Sequence, residues 1–267
     1  MQRILSSLNG LALLAAAGLV ASAATLHAVV SHTVGRDHWV GNAGVASAVA
    51  FGALLTLGLL ALLPIGGFLL GAWRVVQARQ LVKELVHGAT PSRVAGREVW
   101  QLSYSGMACF AAGNLKPRIF VSGPTLGLEA ELREAALLHE EAHLKQRAPL
   151  RRALLSLFAT TWWFLPGARK AAENECLRLE VEADDEALRR GAGRRSLFDA
   201  IVQAATTTTP AGVGLAAVAV GPRLERLAGR SMEAPHDGGF WTWGGLAFAA
   251  ASPAIAHLGV LLGVACF

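Results

Sequence analysis

Three long apolar runs frame this chain. Ile4 to Ala28, Gly44 to Trp73 and Gly238 to Phe267 contain no Asp, Glu, Lys or Arg. A run of about 20 such residues is long enough for a helix to span a bilayer. The first run could instead be a cleaved leader, with Met1-Gln-Arg3 as its charged start and Ala-Ser-Ala as its cleavage site. Its apolar part continues past that site, which favours a retained helix. A short polar loop, His32 to Asn42, separates the first two runs, and Pro64 predicts a kink in the second. Arg74, Arg79 and Lys83 follow at once. The positive-inside rule then places the following residues in the cytoplasm.

Between these runs the pattern changes. Val99, Leu102, Tyr104 and Ile119-Phe120-Val121 have strand character, with Gly113-Asn114 as a turn, so a small antiparallel sheet is expected around Val99 to Ser122. The sheet ends at Gly123-Pro124. A helix is predicted from near Leu128 to before Pro149. Ala153 to Ala168 is apolar, holds Trp162 and Trp163, and has basic residues on both flanks. Sixteen residues are short for a span. Glu173 to Arg190 reads as an acidic helix stopped by Gly191. Ala200 to Pro222 reads as helix and loop around Thr206-Thr-Thr-Thr209 and Pro210, and Gly221 to Leu227 as a short amphipathic piece.

Composition agrees with the apolar frame. Of 267 residues, 53% are hydrophobic and 16% charged, and the mean hydropathy is +0.43, values typical of a membrane protein. The net charge of +5 reflects Arg and Lys beside apolar runs. No basic helix interleaved with aromatics is present, so direct nucleic-acid binding is not expected. Three cysteines, Cys109, Cys176 and Cys266, form neither a disulfide framework nor a metal knuckle, which fits a reducing compartment.

The candidate chemistry lies in the polar middle. His139-Glu140-Glu141-Ala142-His143 has the form H-E-x-x-H. Residues i and i+4 share a helix face, so both imidazoles can reach one Zn2+ ion, with Glu140 placed to act as general base on a water. Alone, the motif equally fits a solvated helix face. Glu180 changes that, because a catalytic zinc needs a third protein ligand and an open fourth position. Asp184, one turn later, can accept the free N–H of a ligand imidazole and fix its tautomer. Glu173, Glu175, Glu182 and Asp185 are rivals by residue type. If His143 and Glu180 meet at one ion, the apolar stretch between them makes no net crossing of a membrane. Tyr104 is the only tyrosine, but nothing in the sequence places it near the motif, so the oxyanion role stays empty.

HEEAH, the apolar segment with Trp162-Trp163 and Pro166, and Glu180-x-x-x-Asp184 resemble the BlaR/MecR-type antirepressor metallopeptidases. Cys109 to Ser122 is similar to the segment before the zinc helix in that family. The resemblance covers roughly Arg97 to Leu188, and loosely Pro222 to Leu227. It implies a gluzincin fold in the cytoplasm, anchored by transmembrane helices. It also implies His139, His143 and Glu180 as zinc ligands, Glu140 as catalytic base and Asp184 as support. Ala183 departs from the family, which often has Cys there, and no penicillin-binding sensor follows the last apolar run. The E-x-x-x-D arrangement also resembles the Ste24/HtpX-type membrane gluzincins, which process or degrade membrane proteins.

The sequence thus predicts a mainly α membrane protein with a small α+β gluzincin-like domain. Residues 1–75 would form two transmembrane helices and 238–267 a third. Residues 76–237 would be a cytoplasmic peptidase domain interrupted by a membrane-associated segment, 153–168. The expected function is that of an integral inner-membrane zinc endopeptidase in contact with lipid, cutting a cytoplasmic protein, with a transcriptional repressor as one candidate. The competing readings are an HtpX-type quality-control protease and a non-catalytic metal-binding signalling scaffold. A transporter would need more spans and paired intramembrane charges.

Overall fold

A computed structural model of the chain describes residues 45–206 and 220–230, apart from Leu115 and Pro166. Seven helices and four strands occur among these residues. They run α1 (Val45–Leu85), β1 (Thr90–Val94), β2 (Arg97–Leu102), β3 (Cys109–Ala112), β4 (Arg118–Ser122), α2 (Gly123–Leu126), α3 (Ala130–Gln146), α4 (Ala148–Thr161), α5 (Ala168–Arg189), α6 (Arg194–Thr206) and α7 (Val220–Leu227). The architecture is mixed α/β, and this corrects the expected mainly α membrane fold. Among the described residues, no helix is long and apolar enough to cross a membrane. In α1, the described side chains reach Arg74 after only the apolar stretch from Leu62 to Trp73. The transmembrane architecture and the inner-membrane placement that rested on it are therefore set aside. The apolar runs Ile4 to Ala28 and Gly238 to Phe267, the loop His32 to Asn42 and the Thr207 to Pro210 stretch lie outside the described residues.

Contacts divide the described chain into two units, 45–73 with 157–169, and 74–156 with 170–206 and 220–230. In the first unit, α1 lies backbone to backbone on α4. A Cβ on Gly67 would sit 2.6 Å from the Thr161 carbonyl oxygen, and one on Gly71 would sit 2.8 Å from Leu157. Glycine is what permits that approach. Trp162 is buried in this unit, whereas Leu69, Trp73 and Trp163 are exposed.

In the second unit the sheet order is β1-β2-β4-β3. The expected purely antiparallel sheet is instead mixed, because β2 and β4 run parallel with Trp100 opposite Phe120. The remaining pairs, β1–β2 and β3–β4, are antiparallel. Gly113 begins the β3–β4 connection at φ 103°, where a Cβ would also lie 2.8 Å from the Lys116 carbonyl oxygen. The amide of Ala108 donates to Ser122 Oγ and Thr125 Oγ1 at 2.8 and 2.9 Å, which pins the start of β3 to the end of β4.

Helix α3 lies at the centre of this unit. Glu131 in its first turn suits the positive end of the helix dipole. Arg147, in the left-handed conformation at φ 51°, ends it, and Pro149 then lies in the first turn of α4, where its missing N–H costs nothing. Leu137 on one face packs with Val99, Ile119 and Val121 of the sheet. Ala135 and Leu138 on another pack with Ala187, Leu197, Ile201 and Leu227 of α5, α6 and α7. Helix α3 is therefore held from both sides, and its remaining buried positions are Leu132, His139, Ala142 and His143.

Candidate metal centre

The i,i+4 spacing puts His139 and His143 side by side on α3, with ring centroids 4.5 Å apart and planes at 80°. Helix α5 brings Glu180 against both. Its Oε2 lies 3.4 Å from His139 Nε2 and its Oε1 3.6 Å from His143 Nε2. All three residues are buried, and their donor atoms lie within 4.8 Å of one another. This donor set can hold a metal ion. Ligand bonds of about 2.0–2.2 Å in a tetrahedron separate neighbouring donors by roughly 3.3–3.6 Å; the two His–Glu separations, each to a different carboxylate oxygen, have that size, and one donor atom from each residue lies within 4.8 Å of the others. Two imidazole nitrogens, which a metal would bind in their neutral form, and one carboxylate oxygen also match the chemistry of zinc and related borderline ions.

Asp184 sits one turn beyond Glu180. Its Oδ1 is 2.9 Å from His139 Nδ1, although the N–H does not point squarely at the oxygen. That contact turns Nε2, the other ring nitrogen, toward Glu180. His143 Nδ1 is buried with no hydrogen-bond partner among the described residues. Glu140 borders the site from α3, and its Oε2 accepts a 2.7 Å hydrogen bond from the backbone amide of Ala111 on β3. Because β3 is an edge strand, this amide is not needed by a neighbouring strand.

Two arginines complete the cluster, and the sequence reading missed both. Arg223 of α7 donates from Nε to Asp184 Oδ2 at 2.8 Å and from Nη2 to Oδ1 at 2.7 Å. Its Nη1 donates to Glu180 Oε2 at 2.7 Å, and its Nη2 lies 3.5 Å from His139 Nε2. Arg152 of α4 donates to Glu180 Oε1, and its Nη2 lies 3.0 Å from His143 Nε2. The amphipathic character of α7 was a signal for Arg223, because a short helix with one apolar face must pack on something. No local pattern pointed to Arg152.

These charges set the protonation states. Burial opposes ionisation of Glu180 and Asp184, but hydrogen bonds from His139 and the other cations more than offset it. The Glu180 carboxyl is held well below its ordinary value, and that of Asp184 is also lowered. Burial likewise disfavours the His139 imidazolium, yet Asp184 and Glu180 push its pKa up to about 9. Burial and the neighbouring His139 lower that of His143. His143 thus already favours the neutral form that ligates metals.

The rival carboxylates go elsewhere. Glu175 pairs with Arg178 at 2.9 Å, and Asp185 with Arg226 at 2.7 Å. Glu173 and Glu182 lie outside the donor group. Tyr104 packs with Leu102, Ala108 and Phe120 beside the sheet. Cys176 is buried one turn before Glu180, and burial pushes its thiol up to about 11, which makes it a poor thiolate. Comparison with protein-family models, with curated proteins and with solved structures yields no match for this chain.

Proposed function

We propose that this chain is a zinc-dependent endopeptidase of the gluzincin type, the class that the BlaR/MecR-type resemblance implies. The observation that carries the reading is the convergence of His139 Nε2, His143 Nε2 and Glu180 from two helices, with Glu140 one residue from the first imidazole. His139, His143 and Glu180 would hold the ion. When bound, zinc supplies Lewis acidity at a substrate carbonyl and makes water a nucleophile near neutral pH. Glu140 accepts the proton of the attacking water and returns it to the leaving amine. The Ala111 amide holds one oxygen of Glu140 and leaves the other for that proton. Asp184 orients His139, and Arg223 keeps Asp184 and Glu180 ionised and in place. The substrate is a protein or peptide, with a transcriptional repressor as the candidate that the resemblance implies.

One observation favours a different reading, a non-catalytic module. Both oxygens of Glu180 already take guanidinium donors, a pattern that neutralises the cluster without a metal. Zinc analysis of the purified chain, with cleavage assays on Glu140→Gln, separates the two. The peptidase reading expects about one zinc per chain in both proteins and a loss of about 10²–10⁴-fold in cleavage for the variant. Retained cleavage in Glu140→Gln removes Glu140 from its role. Absence of zinc, or zinc without cleavage of any peptide by the parent, supports the module.

A further inference from the structure

Beside the C-terminal ends of α5 and α7 and the start of α6 lies a cavity of about 310 Å³, lined by Asp185, Leu188, Arg194, Arg226, Gly229 and Arg230. We propose that this cavity binds a phosphate-type dianion, free or carried by a small molecule.

Two helix ends deliver the cations. At the end of α5, Gly191 adopts φ 103°, the Ala192 amide donates to the Ala187 carbonyl at 3.0 Å and the Gly191 amide to Leu188 at 3.1 Å. At the end of α7, Gly229 adopts φ 82°, the Arg230 amide donates to the Glu225 carbonyl at 3.0 Å and the Gly229 amide to Arg226 at 3.1 Å. Both are paired 6→1 and 5→2 closures that fix the direction of the outgoing chain. The first turn starts α6 at Arg194 and the second sets Arg230, so both arginines line one cavity from fixed backbone.

Charge selects the ligand. Arg226 is paired with Asp185, its Nη2 lying 2.7 and 2.9 Å from the two carboxylate oxygens. Among the described residues, neither Arg194 nor Arg230 has an ion-pair partner. Among the described lining residues, three guanidinium groups against one carboxylate leave two positive charges. A carboxylate ligand would neutralise one of them, whereas a phosphate monoester carries about −1.5 to −2 at pH 7 and fits the planar guanidinium fork. Asp185 faces the same cavity, where it holds Arg226 in position and repels the ligand, so Arg194 and Arg230 must supply most of the binding. This proposal is independent of the peptidase reading.

Calorimetric titration of the full chain with inorganic phosphate, and separately with glycerol phosphate, tests it. Both titrations are run in chloride at matched ionic strength. Saturable binding of at least one is expected, and the stronger of the two shows whether the group is recognised free or on a carrier. Arg194→Gln/Arg230→Gln should weaken it by at least about tenfold. Both residues are exposed, and an unchanged melting temperature in chloride confirms that the variant folds. No saturable binding of either ligand by the parent, or equal binding by the variant, overturns the proposal.

Discussion

Helix α3 carries two ionic clusters of the same residue types that differ in depth. On its inner face, Asp184, Glu180 and Arg223 surround the histidines with side chains 2%, 6% and 8% exposed. On its outer face, Arg97 of β2 joins Glu134 and Glu141, and Arg190, just past the end of α5, joins Glu141 at 2.6 Å, with exposures from 17% at Arg97 to 39% at Glu134. Water can replace a lost partner in the outer cluster. In the inner cluster only Arg152, 33% exposed, reaches water, so the charges of Asp184, Glu180 and Arg223 depend on their partners' presence. Evenly matched carboxylates and guanidinium groups therefore fasten the helix on one side. On the other they hold His139 and His143 in a geometry that burial alone would reject.

The contrast can be broken by removing partners. Asp184→Ala leaves the Arg223 guanidinium buried with half its acceptors gone, and a loss of about 3–5 kcal/mol in urea unfolding is expected. A loss below about 1 kcal/mol would mean that the inner cluster is solvated after all. Removing the metal comes next. A chelator should lower the stability of zinc-loaded protein by about 3–4 kcal/mol if free zinc stands 10²–10³ above its dissociation constant. The drop should be absent in His139→Ala. An equal drop in that variant would place the metal elsewhere. Arg97→Gln, at the outer cluster, should cost only about 1 kcal/mol in the same unfolding measurement. A cost equal to that of Asp184→Ala would erase the distinction between the faces.

The parts of the site that were legible in the sequence share one property. His139, Glu140 and His143 follow from helix periodicity, and Glu180 and Asp184 repeat the same i,i+4 relation on a second helix. Local spacing encodes what one helix presents. Arg223 lies 39 residues beyond Asp184 and is joined to it only by packing, so no spacing rule reaches it. The sheet divides in the same way. Gly113 marked the β3–β4 turn, whereas the parallel pairing of β2 with β4 and the presence of β1 depend on non-local contacts. Reading the second apolar run as a span fails on the described residues, where no helix is long and apolar enough to cross a membrane. In α1, Gly67 and Gly71 lie against α4, a contact that an apolar run does not reveal.

The hydrogen bond from Ala111 to Glu140 bears on how an inert form of this protein should be made. Replacing Glu140 with Gln keeps an oxygen that can accept from the edge-strand amide, so the edge stays covered. Replacing it with Ala would leave that amide open beside β3, where another chain could pair with it. A silent variant chosen only for lost chemistry could then become a sticky one. The same carboxylate that would move a proton also keeps the strand from finding company.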